Sequence, residues 1–350
     1  MNRLFIIVAL LGSLSLCQSL SAQEKGWEVV AADITAANYY PVTVANGMMG
    51  MLSSANPFQL KRVMMSGVYD VHGNDRVSHI LEMPNPLGIR FTIDGETLTR
   101  NEQVSHFTQV LNMKKACLTT SFRYKNKATI TYTLYALRQL PYVCLMEVAV
   151  NADREVNMSV KSEIGMPGTL NRAGYYKYEL NPSHAPAIKL LTSTAKSPTG
   201  SRVVAASNSF LFEGAGAPGV RYTDGDQSMQ FDTSLAKGQS FSFTLLGSVI
   251  SSAQNPDPLN QSQRMLAFSQ LEGKEKLLAR HIREWDTLWQ SDIELEGDDA
   301  MQLEIRKMIY HLYSFAREGN ANSIPPMGLS NSWYSGHIFW TLNYGCTRRC

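Results

Sequence analysis

Ala128-Thr-Ile-Thr-Tyr-Thr-Leu-Tyr-Ala136 alternates apolar and polar side chains without a break. Ile130, Tyr132 and Leu134 fall on one side and Thr129, Thr131 and Thr133 on the other, the period of an extended chain with one buried face. Outward from this stretch, residues 143–150, 156–164, 209–212 and 240–250 read as further strands. Turn-rich pieces such as Asn151-Ala-Asp153 and Thr223-Asp-Gly-Asp226 separate them. From about Trp27 to Ile250 no helical pattern alternates with the strands. That order predicts a large antiparallel sandwich rather than a parallel sheet.

Near Ser251 the period changes. Asn255-Pro-Asp-Pro258 marks the break, after which Leu277, Leu278, His281, Ile282, Trp285, Leu288 and Trp289 recur at three- and four-residue steps, one apolar stripe of a helix. A second helix is predicted to start at Asp298-Asp299, whose carboxylates suit the positive end of a helix and accept its free N–H groups. Met301, Ile305, Met308, Ile309, Leu312 and Phe315 are its expected buried face, with Gly319 as its stop. Asp292 and Glu294 read as solvated linker charges.

Hydrophobic residues make up 44% of the chain and charged residues 18%, ordinary for a globular protein with room for two domains. A net charge of +2 without basic or acidic runs excludes nucleic acid and anionic membranes as main partners. The first residues have the layout of an export signal: Arg3, an apolar core over residues 4–16 too short to span a bilayer comfortably, and a small-residue exit over 19–22. Cleavage after Ala22 and a secreted or periplasmic location follow, with no membrane attachment afterwards. Cys17 would leave with the signal. Of the remaining cysteines, Cys117 and Cys144 sit in apolar strand contexts and read as buried thiols rather than a bridge. No Cys/His spacing resembles a zinc site, and no cofactor is implied.

Gly328-Leu-Ser-Asn-Ser-Trp-Tyr-Ser-Gly-His-Ile-Phe-Trp340 resembles the first active-site loop of glycoside hydrolase family 65, close to G-L-S-x-x-x-Y-x-G-H-x-F-W-D-T-E. This family includes maltose, kojibiose and trehalose phosphorylases and related glucosidases. Ala45-Asn46-Gly47-Met48-Met49-Gly50 is similar to its early G-N-G-x-x-G. Trp285-x-x-x-Trp289, running into Ser291-Asp-Ile-Glu294, with Gly297-Asp298 and Arg306 beyond, matches as well. The resemblance implies an α+β multidomain fold: an N-terminal β super-sandwich of galactose-mutarotase type, a helical linker, and the opening of an (α/α)6 barrel that is cut short. The implied divisions are a signal at 1–22, sandwich at 23–252, linker at 253–295 and barrel start at 296–340.

After Trp340 the family's Asp-Thr-Glu is replaced by Thr341-Leu-Asn-Tyr-Gly-Cys-Thr-Arg-Arg-Cys350. Deleting one base from codons for Asp-Thr-Glu-Leu-Trp-Met-Tyr-Pro-Pro-Leu yields this decapeptide up to Arg349, so residues 341–350 are expected to be out of frame.

By resemblance, the chain is the N-terminal part of an exported inverting α-glycoside hydrolase acting on α-glucosides or oligosaccharides. It is expected to be inactive as written, because the family's catalytic glutamate lies beyond position 350. A glycoside phosphorylase and a non-catalytic carbohydrate-binding sandwich are the alternatives, and a homodimer is an open state for a full-length member. No catalytic residue is assigned. The expected sugar-binding residues are Trp340 and Phe339 as an apolar face for a pyranose ring, His337 as a hydrogen-bonding group, and Tyr334 and Trp333 beside them. Asn46-Gly47 reads as a turn within the sandwich, Trp285 and Trp289 as packing, and the Asn74, Asp75, Arg76 loop as within reach of a pocket.

Overall fold

The computed structural model of the chain describes residues 26–34, 39–72, 76–99, 101–183, 187–214, 216–223, 225 and 227–338. The expected signal, Asn74, Asp75, Phe339, Trp340 and the 341–350 tail lie outside the described residues.

Strand Ala128–Ala136 has the predicted two-sided character, with Ile130, Tyr132 and Leu134 buried and the intervening threonines half-buried. Its threonines pair across the sheet, Thr133 with Thr119 and Thr131 with Ser121, each at 3.0 Å. This strand is fourth in a nine-stranded sheet, whose strands run in the order Glu28–Ala31, Val104–Asn112, Cys117–Tyr124, Ala128–Ala136, Val143–Ala152, Ser240–Ser251, Val203–Leu211, Ile188–Lys196 and Asn171–Leu180. A five-stranded sheet follows the order Arg221–Thr223, Ser228–Leu235, Val156–Gly165, Asn85–Ile93 and Glu96–Thr97. A four-stranded sheet comprises Thr43–Ala45, Met49–Leu52, Arg62–Val71 and Ser78–Met83. Every strand pair is antiparallel.

The large and middle sheets close over one core. Phe210 and Phe243, from the large sheet, meet Phe231 of the middle sheet edge-on, at centroid separations of 5.0 and 5.1 Å. Such edge-to-face pairs add to burial itself about 0.5–1.5 kcal/mol each. Cys117 and Cys144 are free thiols buried in this framework.

Strand Ser240–Ser251 departs from simple alternation, being buried on both faces over its second half. The cause is helix α1 (Pro258–Glu272), which lies on the outer face of the large sheet. Asp257 caps it by accepting from Asn260 N, and Pro258 takes its first turn, where a missing N–H costs nothing. Its contact with the sheet is a dry run of hydroxyls: Ser248 with Ser262 at 2.6 Å, and Ser262 donating to Ser207 at 2.8 Å.

Helix α2 (Lys274–Trp289) buries Leu277, His281, Trp285 and Trp289, one residue per turn. These are members of the predicted stripe. Trp285 is fully buried and stacked on Tyr310 at 5.6 Å, so its truncation to alanine removes about 3–5 kcal/mol.

Helix α3 (Asp299–Phe315) starts as predicted, with Asp298 accepting from Met301 N at 2.9 Å. Its buried face is a correction to the sequence reading. The residues packed inward are Gln302, Arg306, Tyr310 and Ser314, while Met301, Met308 and Leu312 are exposed. Of the predicted face, Ile309 and Phe315 do pack, half-buried, against the core, and hydrogen bonds of the buried polar residues complete the contact. Gln302 Nε2 donates to Ile293 O at 2.9 Å, and Tyr310 OH donates to Thr43 O at 3.0 Å. Arg306 NH2 lies 2.7 Å from Asp292 Oδ2, and its guanidinium stacks over Trp27 at 3.8 Å. Asp292 is therefore a nearly buried ion-pair partner, not a solvated linker charge.

Candidate functional site

At Ala316 the backbone leaves the helix for an extended conformation and enters the loop that carries the predicted sugar-binding residues. Two glycines of the sandwich shape how that loop sits. Gly47 has φ +83°, and a Cβ there would fall on the Ala316 carbonyl and the Arg317 side chain. A Cβ on Gly50 would come within 2.5 Å of Leu329 O. At both places main chain packs on main chain, an approach only glycine permits.

Side chains then lock the contact. Gly47 N donates to Ser314 O at 2.7 Å, and Asn320 Nδ2 donates to Gly47 O at 3.0 Å and to Ser66 Oγ at 3.1 Å. Asn46 holds its own turn, accepting from Met48 N and Met49 N while donating to Leu137 O. Arg317 donates to the carbonyls of Asn46 and Arg138. The sequence predicts a turn at Asn46-Gly47, and the structure has one. Its second role, as the seat of the loop, had one legible signal: the glycine spacing of Gly47 and Gly50.

Further along, Leu329 is buried in a small cluster with Ala45, Met64 and Ile80. Beyond it the chain makes a tight turn over Trp333–Gly336, in which Tyr334 (φ 56°, ψ 25°) and Ser335 (φ 56°, ψ 14°) both adopt the left-handed region. Two successive non-glycine residues in that region store strain of about 1–3 kcal/mol each, which surrounding contacts must hold in place. Tyr69 OH donates to Gly336 O at 2.8 Å, and His337 Nε2 sits 2.7 Å from Ser78 O. Because a carbonyl can only accept, that ring nitrogen carries a proton.

The structure thus brings Trp333, Tyr334 and His337 together on the outer side of the strand Ser78–Met83. Trp333 and Tyr334 are 69% and 64% exposed, so neither belongs to the core. Exposed aromatic faces beside a histidine suit a sugar ring, whose C–H faces stack on aromatics while its hydroxyls exchange hydrogen bonds. A cleft of about 800 Å³ lies on the other side of the loop, between it and α3, lined by Thr43, Met308, Phe315, Asn320 and Ser330 among others. Trp333, Tyr334 and His337 do not line it. Among the described residues no cluster of histidine, cysteine, aspartate or glutamate is placed to hold a metal ion.

Residues 41–288 match the family model for the glycosyl hydrolase family 65 N-terminal domain. The chain belongs to glycoside hydrolase family 65. It is 43% identical over 339 residues to a kojibiose hydrolase of Mucilaginibacter mallensis, covering 95% of this chain and 50% of that protein. Identity to a kojibiose hydrolase of Flavobacterium johnsoniae is 40% over 344 residues, with 97% and 50% covered. The chain therefore spans about half the length of the curated relatives it matches. A solved structure from the human microbiome, provisionally named a kojibiose phosphorylase, shares the fold with a TM-score of 0.73 at 14% identity, over 90% of this chain and 45% of that one.

Proposed function

We propose that this chain provides the sandwich, the linker and one wall of the sugar pocket of an exported, inverting α-glucosidase acting on kojibiose or a related α-glucoside. The observation that carries the proposal is the alignment, along nearly the whole chain, with two relatives named as hydrolases. Inverting hydrolysis needs one carboxylic acid to protonate the leaving oxygen and a second carboxylate to activate water on the opposite face. Between residues 316 and 338 the sole carboxylate is Glu318, on the exposed end of the loop. The loop can hold and orient a ring but offers no acid–base pair. We therefore assign the acid and base to the part of the relatives that this chain does not span, and expect the chain alone to turn over no glucoside.

Trp333, Tyr334 and His337 form the described part of the proposed ring platform, and Phe339 and Trp340 follow them in the sequence. The signal-like residues 1–22 support export. Export in turn favours water over phosphate as the nucleophile, since phosphate and sugar phosphates are intracellular currencies.

The test is a fusion of residues 23–340 to the second half of the Mucilaginibacter hydrolase. We expect it to hydrolyse kojibiose without phosphate, with the β-anomer of glucose released first from the non-reducing unit, as read by NMR. A folded fusion that requires inorganic phosphate, or that cleaves no α-glucoside, would overturn the proposal.

A further inference from the structure

Two clefts, of about 310 and 250 Å³, open along the sandwich and meet at Glu82. The larger lies where the four-stranded and five-stranded sheets adjoin. The smaller continues past Thr169 to Ser332, the residue before Trp333. Together they make a track that begins at the aromatic turn and runs away from it over the sandwich.

The chemistry of the track is specific. Two ion pairs flank the larger cleft: Arg62 Nε lies 3.3 Å from Glu82 Oε1, and Arg90 NH2 lies 3.1 Å from Glu163 Oε1. All four side chains are partly exposed, between 21% and 47%. Because each charge has its opposite alongside, the pairs themselves call for no net charge in a ligand, and Lys61, which also lines the larger cleft, can donate to a hydroxyl as it stands. The pairs still present spare guanidinium N–H groups and carboxylate lone pairs, which match the adjacent hydroxyls of a sugar. Gly165 leaves backbone exposed in the cleft, and Phe58, Met83 and Met166 line it with apolar groups. In the smaller cleft, the Thr169 hydroxyl is buried without a hydrogen-bond partner. A buried hydroxyl in that state is stabilised by any partner that reaches it. An uncharged, chain-like ligand with many hydroxyls and apolar C–H faces satisfies all of these groups at once.

We propose that this track binds a neutral oligosaccharide, taking the hexose units that extend beyond the one stacked at the loop. The inference rests on the sugar-binding reading of the loop, but its test uses binding by this chain and involves no catalysis. It can therefore fail while the fusion described above succeeds, and the converse also holds.

The full chain is titrated calorimetrically with glucose and with α-1,2-, α-1,3- and α-1,4-linked glucotetraoses. At least one tetraose is expected to bind at least about tenfold tighter than glucose. The double variant Arg90→Ala/Glu163→Ala removes both members of an exposed pair, so no uncompensated charge remains and the fold is undisturbed. It should abolish that gain while leaving glucose unchanged. Thr169→Val, nearly isosteric, should reduce the gain in a fold that melts normally. Tetraoses that bind no tighter than glucose, or not at all at millimolar concentration, overturn the proposal. A gain that survives the double variant does so equally.

Discussion

Replacing His281 should change how the stability of this protein depends on pH, and the size of the change follows from where the ring sits. His281 is completely buried; its Nδ1 accepts from Arg138 N at 3.1 Å, and its Nε2 lies 2.9 Å from Lys115 O. Burial, opposed in part by the backbone carbonyls around Lys115 and reinforced by the Arg138 guanidinium, brings its pKa down from 6.5 to about 4. Protonation would also force Nδ1 to give up the Arg138 hydrogen bond. The unfolded chain, with an ordinary histidine, takes up a proton first as pH falls, so stability is lost between 6.5 and about 4 and not above that window. With those two values, the single group removes about 2 kcal/mol between pH 7 and pH 5, most of it below pH 6.5. The assay is urea unfolding followed by tryptophan fluorescence at the two pH values, for the parent chain and for His281→Gln. The variant will be less stable throughout, but the quantity read is the difference between the two pH dependences. A parent chain losing less than about 0.5 kcal/mol more than the variant would refute the buried neutral imidazole.

Asp292→Ala leaves Arg306 buried beside Trp27 without its carboxylate, and calorimetry should show a loss of about 3–5 kcal/mol. Gly47→Ala forces a left-handed backbone on a residue with a Cβ and drives that atom into Ala316, so cleavage within residues 316–338 under limited proteolysis should accelerate relative to the rest of the chain. Trp333→Ala removes an exposed ring, so the melting curve should shift by no more than about 0.5 kcal/mol, while kojibiose hydrolysis by the fusion protein falls steeply. An unchanged rate there would remove Trp333 from the pocket. Burial pushes the Cys117 thiol up to about 12 and raises that of Cys144 as well; peptide mapping after alkylation at pH 8 should find both unmodified until denaturant is added.

The strands were legible where one face is wet and the other dry, because alternation is then imposed by burial itself, as at Ile130, Tyr132 and Leu134. Alternation fails at Leu245, Leu246, Val249 and Ile250, where α1 dries the second face. Helix α2 was legible for the same reason as the clean strands: its partner surface is apolar. Helix α3 was legible only in part, because its partner surface mixes the apolar core, which takes Tyr310 and Ile309, with backbone and charge. Gln302 and Arg306 are buried there by hydrogen bonds and an ion pair, and no hydropathy pattern records whether a polar side chain has a partner waiting. The loop residues could be named from their motif. Their separation from the cleft beside α3, and the track leading away from Ser332, depend on strands distant in sequence that only the folded sheets bring together.

The seat of the loop on Gly47 and Gly50 bears on how such proteins can be recombined. A joint made by main chain on main chain reads the path of the incoming segment and is largely indifferent to its side chains. A foreign loop of the same length and curvature should therefore settle on this sandwich without redesign of the host, provided it keeps the equivalents of Arg317 and Asn320, whose donors grip host carbonyls. Exchanging residues 316–338 between members as a cassette would then isolate what the loop itself contributes to specificity, with the sandwich held constant.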